Sequence, residues 1–234
     1  MDRLVINAQP NLALHQSTDD NARHYESWYH TPRGAWIATQ EAELMRRLLA
    51  PAAGDTLLDV GCGSGHFSRR FADYGLRVTG LDPDAAMVGF ARRQGGAIDY
   101  LIGTGQNLPF TDASYDYVAA VTSLCFITDP EAALREMWRV SGKAVCLGLL
   151  NRHSLLYRRK AGRGAYSGAR WDTVAQVRQW ARHLSPPPRL RIRSAVFAPS
   201  GGALARGAER LLPARLPWGG FLAVCLDKPG RHRP

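Results

Sequence analysis

The sequence predicts an α/β fold in which a mostly parallel sheet carries helices on both faces. Short apolar segments alternate with helical ones between residues 56 and 150, and the first runs directly into a glycine-rich turn that opens a helix. Such alternation builds a parallel sheet, because each helix returns the chain to the same end of the sheet. With 234 residues, 45% of them hydrophobic, the chain suits one domain with a substantial core.

Residue type and periodicity define the predicted segments one by one. Residues 1–24 are polar and irregular. The chain then becomes helical as far as Pro51, with Ile37 and Leu44 on one apolar face. The next segments are strand 56–60, helix 66–74, strand 77–81, helix 84–94, strand 98–102, strand 115–122, helix 130–140 and strand 143–150.

The pattern changes after residue 150. A helix over 173–184 has Asp172 or Thr173 as its N-cap and ends before three prolines. Residues 190–197 alternate arginine with apolar residues, which is typical of a half-exposed strand, and residues 220–226 form an apolar strand. Because no full helix is predicted between these two strands, we expect an antiparallel pair at the edge of the sheet.

Composition excludes several classes of protein. No run of 18 apolar residues exists to span a membrane, and the N-terminus has no apolar leader, so we expect a cytoplasmic protein. The four cysteines, at positions 62, 125, 146 and 225, are widely spaced and form no CxxC pair. We therefore expect reduced thiols and no metal site.

The net charge of +10 is unevenly distributed. Residues 1–140 carry a net charge of −5 and residues 141–234 carry +15, almost all of it as arginine. One interpretation is a GC-rich genome that places arginine on solvated surfaces. The other is that the C-terminal third faces an anionic small substrate, RNA or a membrane surface.

The strongest motif is Leu-Leu-Asp-Val-Gly-Cys-Gly-Ser-Gly at residues 57–65, between a strand and a helix. Its glycines allow a sharp turn and close approach of a ligand, and the following helix presents unpaired N–H groups. His66 stands where the dinucleotide-binding fingerprint GxGxxG has its third glycine.

Three further motifs follow at the spacing of strand–helix–strand units. Asp82 ends the next strand, where an acid can accept both hydroxyls of a ribose. Residues 103–110 (Gly-Thr-Gly-Gln-Asn-Leu-Pro-Phe) follow the third strand, and residues 114–118 (Ser-Tyr-Asp-Tyr-Val) open the fourth. Each motif alone is compatible with a turn or a strand end, but their order and spacing together favour a binding site.

This ordered set resembles the class I S-adenosylmethionine (SAM)-dependent methyltransferases, particularly the small-molecule group that includes the ubiquinone- and menaquinone-biosynthesis type. The resemblance is strong over residues 55–150 and includes Tyr-Glu-Ser-Trp-Tyr at 25–29, which is similar to that group's N-terminal lid. It implies a Rossmann-like sheet of seven strands with the last antiparallel. It also implies a single domain, with a lid and helix over 1–50 and a SAM-binding part over 51–234.

The resemblance further implies SAM as cofactor, S-adenosylhomocysteine (SAH) as product, and roles for individual residues. Asp59 would hold the methionine amine and Asp82 the ribose hydroxyls. The other expected contacts are Gly61, Cys62, Gly63 and Thr122 to the methionine part, Pro83, Met87, Thr104, Gly105 and Gln106 to the adenine, and Tyr25 or Trp28 from the lid.

The sequence departs from the group's pattern in three places. Thr104 stands where the group often has an acid, and Phe126 stands where it usually has a histidine. The turn after strand-four's helix is shortened to Ser-Gly-Lys at 141–143. These departures affect the expected adenine contacts and the geometry of the acceptor.

Methyl transfer is an in-line displacement, so the protein needs mainly to hold the nucleophile about 3–3.5 Å from the methyl carbon and exclude water. A base is required only when the nucleophile must lose a proton early. His153 is a candidate base or a surface histidine, and Tyr157 is a second catalytic candidate. The acceptor pocket is expected to draw on Tyr25, Trp28, Tyr29, His153, Tyr157 and Tyr166.

We expect a small-molecule acceptor, which the basic C-terminal third would suit if it were anionic. The alternatives are a quinone methyltransferase at the membrane surface, an RNA methyltransferase that uses the basic C-terminal third, and a SAM-binding protein without turnover. Against RNA, no Asn/Asp-Pro-Pro-Tyr motif follows strand four and no RNA-binding module is recognisable. The sequence does not indicate an oligomeric state.

Overall fold

The computed structural model describes residues 19–230, which form a seven-stranded sheet in the order β3-β2-β1-β4-β5-β7-β6. Strands β1 to β5 pair in parallel, and β7 lies antiparallel between β5 and β6. The predicted seven strands with an antiparallel last strand are confirmed. The strands are β1 Thr56–Val60, β2 Arg77–Asp82, β3 Asp99–Ile102, β4 Tyr115–Val121, β5 Ser141–Leu150, β6 Arg189–Ala195 and β7 Phe221–Asp227.

Eight α-helices accompany the sheet in the described part of the chain. Most follow the predicted pattern, with side-chain N-caps such as Asp84, Asp129 and Thr173. The helices are α1 Asp19–Tyr29, α2 Pro32–Leu49, α3 His66–Asp73, α4 Ala85–Arg93, α5 Pro130–Val140, α6 Leu155–Lys160, α7 Val174–Ala181 and α8 Ala203–Leu211.

Three expectations about helices were wrong. The segment expected to be irregular up to residue 24 is already helical from Asp19, and a break before Pro32 separates α1 from α2. Helix α6 was not predicted. Helix α8 lies between β6 and β7, where no full helix was expected, and its Leu204 and Leu211 side chains are exposed. The antiparallel pair was nevertheless predicted correctly.

Two apolar layers cover the two faces of the sheet. One cluster joins α2 and α3 to the sheet, and the other joins α5 and α7 to the opposite face. Helix α2 crosses β5, β7 and β6. A side-chain carbon added at Gly148 would lie 3.3 Å from the Met45 sulfur and 2.4 Å from the Phe221 ring. The helix therefore sits tightly over the carboxyl end of β5.

The four cysteines are buried and free. Although the cysteines are far apart in sequence, Cys146 and Cys225 lie opposite each other in the β5–β7 register. Within residues 19–230, no helix is long and apolar enough to cross a membrane.

Candidate functional site

The glycine motif forms a turn at the carboxyl end of β1, where it meets the end of β4. Gly61 has a φ of +74°, and a side-chain carbon added there would lie 2.4 Å from the Ser123 Cβ. The Ser123 hydroxyl donates to the Val60 carbonyl oxygen at 2.6 Å. Both the backbone conformation and the close approach of β4 therefore require glycine at position 61.

Asp82 closes this turn from the neighbouring strand β2. The Gly63 N–H donates to its Oδ2 at 2.8 Å and the Asp84 N–H donates to its Oδ1 at 2.9 Å. Burial raises the pKa of the Asp82 carboxyl, and these two backbone donors oppose the effect. The carboxylate is fixed beside the glycine turn, where a hydroxyl-bearing ligand would meet it.

Asp59 lies beneath the turn and is completely buried. The Ser68 hydroxyl donates to Asp59 Oδ2 at 2.6 Å, but Oδ1 has no hydrogen-bond partner among the described residues. Burial, together with the nearby Asp82 charge, raises the pKa of Asp59 to about 7. A buried carboxylate oxygen without a partner costs free energy, and a ligand ammonium or N–H donor would satisfy it.

Thr122, at the end of β4, has a φ of +49°, which a β-branched residue rarely adopts. Its N–H donates to the Gly148 carbonyl oxygen at 2.8 Å, and the Cys125 thiol donates to the Thr122 carbonyl oxygen at 3.2 Å. These bonds hold a strained backbone next to the turn, an arrangement found frequently at functional sites.

Helix α1, the expected lid, lies against the glycine turn. The Tyr25 ring carbon Cε1 lies 3.9 Å from where a side-chain carbon on Gly63 would stand, and Tyr25 Oη is 3.0 Å from Tyr29 Oη. Trp28 instead packs against the core layer and edge-on against Tyr29, with 5.0 Å between ring centroids. Of the two predicted lid contacts, Tyr25 is therefore the one beside the turn.

Glu26 fastens the lid and was not identified from the sequence. It is 5% exposed and accepts hydrogen bonds from the Ser64 hydroxyl and from Arg69 at 2.6 Å; His66 Nδ1 lies 3.2 Å away. Burial alone would raise its pKa, but the His66 and Ser64 hydrogen bonds and the Arg69 charge outweigh it and lower the pKa to about 2. Tyr29 stacks on His66, with 3.7 Å between ring centroids. Helix α1 is thus attached to the glycine turn and to the start of α3.

The residues expected at the adenine lie along the carboxyl ends of β2 and β3. Ile102, paired in register with Asp82, is 57% exposed and adds an apolar side chain that the sequence prediction did not include. The Cys62 side chain packs with Val88 and Tyr100, so Cys62 can reach a ligand only through its backbone. Of the other expected contacts, Gly105 is buried, Met87 is half-buried, and Pro83, Thr104 and Gln106 are exposed.

The far wall of the site is formed by α6 and the segment that follows it. Tyr157 and Tyr166 both pack against Trp171, with ring centroids 5.3 and 5.4 Å apart. Burial raises the pKa of the neighbouring Cys125 thiol to about 12, so this thiol is protonated and suits packing. The His153 side chain is exposed at the start of α6. The structure does not bring it into the tyrosine cluster, and its role as a base stays a prediction.

Arg170 ties this wall to the loop after β4. Its guanidinium donates to the carbonyl oxygens of Leu124 at 2.9 Å and Ile127 at 3.0 Å, and to Asp172 at 2.7 Å. Arg170, one of the basic residues of the C-terminal third, therefore stabilises the wall of the site.

Glu41 is the second acid that the sequence prediction missed. It lies on the face of α2 that also carries the buried residues Ile37, Ala38, Leu44 and Met45. Burial raises the pKa of Glu41 to about 8, and Arg70 opposes this effect. A charged residue within an apolar helical stripe was the signal available in the sequence.

Comparisons with known proteins agree with this geometry. The family model described as a methyltransferase domain matches residues 58–144. An uncharacterised protein of Mycobacterium tuberculosis is 32% identical over 186 residues, which is 76% of this chain and 62% of that protein. The malonyl-[acyl-carrier protein] O-methyltransferase of Serratia marcescens is 36% identical over 107 residues, which is 44% of this chain and 42% of the enzyme. The chain thus spans less than two thirds of these relatives.

The fold has a counterpart among solved structures. A SAM-dependent methyltransferase of Thermotoga maritima, described as a possible histamine N-methyltransferase, superimposes with a TM-score of 0.71 at 24% identity, covering 90% of this chain and 97% of the other. At this identity the likeness establishes the fold alone.

Proposed function

We propose that this chain is a class I SAM-dependent methyltransferase that transfers the methyl group of SAM to a small-molecule acceptor. The observation that supports this most strongly is the pair of carboxylates at the glycine turn. Asp82 stands fixed beside the turn and Asp59 Oδ1 lies buried without a partner. One carboxylate suits a ribose, and the other suits the amine of an amino acid moiety.

The chain's own residues would bind and orient rather than supply the reactive group. SAM supplies the electrophilic methyl group when bound. Asp59 would hold the amine, Asp82 the ribose hydroxyls, and Gly61 and Gly63 would allow the methionine part to approach the backbone. Tyr25 would cover the turn and exclude water from the transfer.

A small acceptor is favoured by the two walls that flank the site. Helix α1 covers one side, and the α6 wall, tied down by Arg170, covers the other. An extended polymer would require the Glu26 attachment to open, whereas a small molecule needs only the chamber between the two walls. We define the acceptor chamber as the space bordered by Tyr25, Tyr29, Glu41, Cys125 and Tyr166.

The test uses SAM with a labelled methyl group and the purified protein. Total RNA and a protein-free small-molecule extract are incubated separately. The variants are Asp82→Ala and the control Asp99→Ala, which removes an exposed acid from the opposite end of the sheet. We expect label in the small-molecule pool with wild type and Asp99→Ala, and none with Asp82→Ala. Label in RNA alone would contradict the proposal.

A further inference from the structure

Glu41 belongs to the acceptor chamber by its position on α2. Its neighbours one helical turn away, Ala38 and Met45, are fully buried, and Met45 lies over the carboxyl end of β5. The Glu41 carboxyl group is therefore close to the carboxyl ends of the central strands, where the glycine turn and Thr122 also lie. It is half-buried and can meet a ligand that enters there.

Tyrosines from two separate segments of the chain lie near Glu41. Burial is the main effect that raises the pKa of Tyr25 and Tyr29 on α1 and of Tyr166 on the far wall, and the Glu41 charge adds to it in each case. Tyr25 also borders Gly63. Tyr25 is thus near both Glu41 and the expected methionine site.

The other acids near this chamber already have partners or a role. Glu26 accepts from Ser64 and Arg69. Asp59 and Asp82 belong to the expected SAM site. Within residues 19–230, Glu41 has neither a hydrogen bond nor an ion pair of its own.

The nearest cation does not neutralise Glu41. Arg70, on α3, acts on Glu41 at a distance, while its guanidinium donates to His66 Nε2 at 3.0 Å and to Thr39 Oγ1 at 3.3 Å. From α1 and the far wall, the titratable groups whose pKa values the Glu41 charge raises are Tyr25, Tyr29 and Tyr166. A partly buried carboxylate without a hydrogen bond or ion pair of its own lacks a counter-charge, and a ligand ammonium would supply one.

We infer that Glu41 binds the ammonium group of an amine acceptor and removes its proton before methylation. This inference rests on the proposed function. Glu41 takes one proton from the ammonium, and the freed nitrogen lone pair forms a bond to the methyl carbon. The carbon–sulfur bond breaks, its electron pair stays on sulfur, and the products are a methylated ammonium and SAH.

The carboxyl group is suited to this proton transfer. Because burial places its pKa near 8, it can accept a proton from an ammonium without the large energetic mismatch that an ordinary glutamate would impose. The basic C-terminal third would suit an anionic acceptor, whereas an acid in the chamber favours a cationic one. The two interpretations therefore make opposite predictions about which probe binds.

The first test measures binding and does not depend on turnover. Phenethylamine, phenethyl alcohol and phenylacetate are titrated by calorimetry into the SAH-loaded full chain at pH 7.5. The variants are Glu41→Gln and the control Glu43→Gln, which changes an acid on the same helix that pairs with Arg46 and Arg47 at the surface. We expect the amine to bind wild type and Glu43→Gln at least about tenfold more tightly than the alcohol or the acid, and Glu41→Gln to lose that preference.

Three results would overturn the inference: no amine binding, tighter binding of phenylacetate, or the same amine affinity in Glu41→Gln as in wild type. SAH affinity, measured first, shows whether Glu41→Gln is folded. If it is not, the preference of wild type for amine over acid still decides the matter.

Labelling separates the inference from the proposed function. Labelled product is passed over cation- and anion-exchange resins. Label retained only as anions would contradict the amine acceptor and leave methyl transfer standing. Amine binding through Glu41 without any transfer of label would refute the proposed function and leave the amine site standing.

Discussion

At the scale of single residues, the site combines several residues that destabilise the folded protein when no ligand is bound. Asp59 is a buried acid with an unpaired oxygen, and Thr122 holds a left-handed backbone. Glu41 is an acid on an apolar helix face. A protein can retain such destabilising residues where a bound ligand stabilises them. These residues therefore provide the most direct tests of the proposed site.

The raised pKa of Asp59 predicts that SAH binding releases protons near neutral pH. The pKa of Asp59 is raised to about 7 in the ligand-free protein, and a ligand ammonium beside Oδ1 would lower it. Binding at pH 7 should then release about half a proton, and affinity should increase as pH rises from 6 to 8. Calorimetry in two buffers of different ionisation enthalpy measures this release. Equal release by wild type and Asp59→Asn would show that Asp59 is not its source.

The backbone conformation of Gly61 and its close contact with Ser123 predict the stability of variants at position 61. Gly61→Ala should lower the free energy of unfolding by about 2–4 kcal/mol, because the added carbon meets Ser123 and alanine resists a positive φ. Adding Ser123→Gly should recover at least about 1 kcal/mol by removing the clash but not the backbone strain. Urea denaturation of both variants measures the difference. A double variant no more stable than Gly61→Ala would show that the contact with Ser123 does not matter.

At the scale of elements, one buried charged side chain attaches helix α1 to the glycine turn. Glu26 lies on α1, and its partners Ser64, His66 and Arg69 belong to the glycine turn and α3. A further ion pair joins Asp19 to Arg93 on α4. These ionic contacts act together with the packing of Trp28 and Tyr29 against the apolar core.

Glu26→Gln should release α1 without unfolding the sheet. The lowered pKa of Glu26, about 2 rather than 4.5, corresponds to about 3 kcal/mol of stability at neutral pH. This contribution is complete above about pH 4.5 and is lost as pH falls toward 2. Hydrogen exchange at pH 7 should show loss of protection over residues 19–29 and retained protection in β1 and β4.

Glu43, a half-buried acid of α2 paired with two arginines, provides the control for this experiment. Glu43→Gln should change stability by less than about 1 kcal/mol, because its pairs with Arg46 and Arg47 lie at the surface. Equal stability of wild type and Glu26→Gln at pH 7, or exchange that increases throughout the sheet, would contradict the role assigned to Glu26.

The elements also show how far the sequence determines the structure. The strands and helices of residues 56–150 followed from periodicity and stop signals, because each buries a regular apolar face. Helix α8 did not, and its leucines at 204 and 211 are exposed instead of buried against the sheet. Site residues with motif spacing, such as Asp82, were predicted. Glu26 and Glu41 were not, because their roles depend on contacts with segments distant in the chain.

At the scale of the whole molecule, part of the C-terminal positive charge serves the fold. Arg191 forms a two-pronged contact with Asp227, at 2.5 and 2.6 Å, and Lys228 donates to the Ser141 carbonyl oxygen. Arg170 fixes the wall of the chamber. The exposed cations at 158–160 on α6 remain available to solvent.

This distribution predicts weak and nonspecific binding of RNA. We expect a Kd above about 1 μM at 0.15 M salt, with little dependence on RNA sequence. Fluorescence anisotropy over a range of salt concentrations measures both. Tight binding that discriminates between sequences would instead favour the RNA methyltransferase that the basic C-terminal third first suggested.

The most direct test of the proposed site is a crystal structure of the full chain with SAH. We predict that the SAH amine lies within hydrogen-bond distance of Asp59 Oδ1, that the ribose hydroxyls contact Asp82, and that the sulfur faces the chamber bordered by Tyr25 and Glu41. SAH bound with its ribose away from Asp82, or with Asp59 Oδ1 still unpaired and Glu41 remote from the sulfur, would contradict both the site and the function proposed from it.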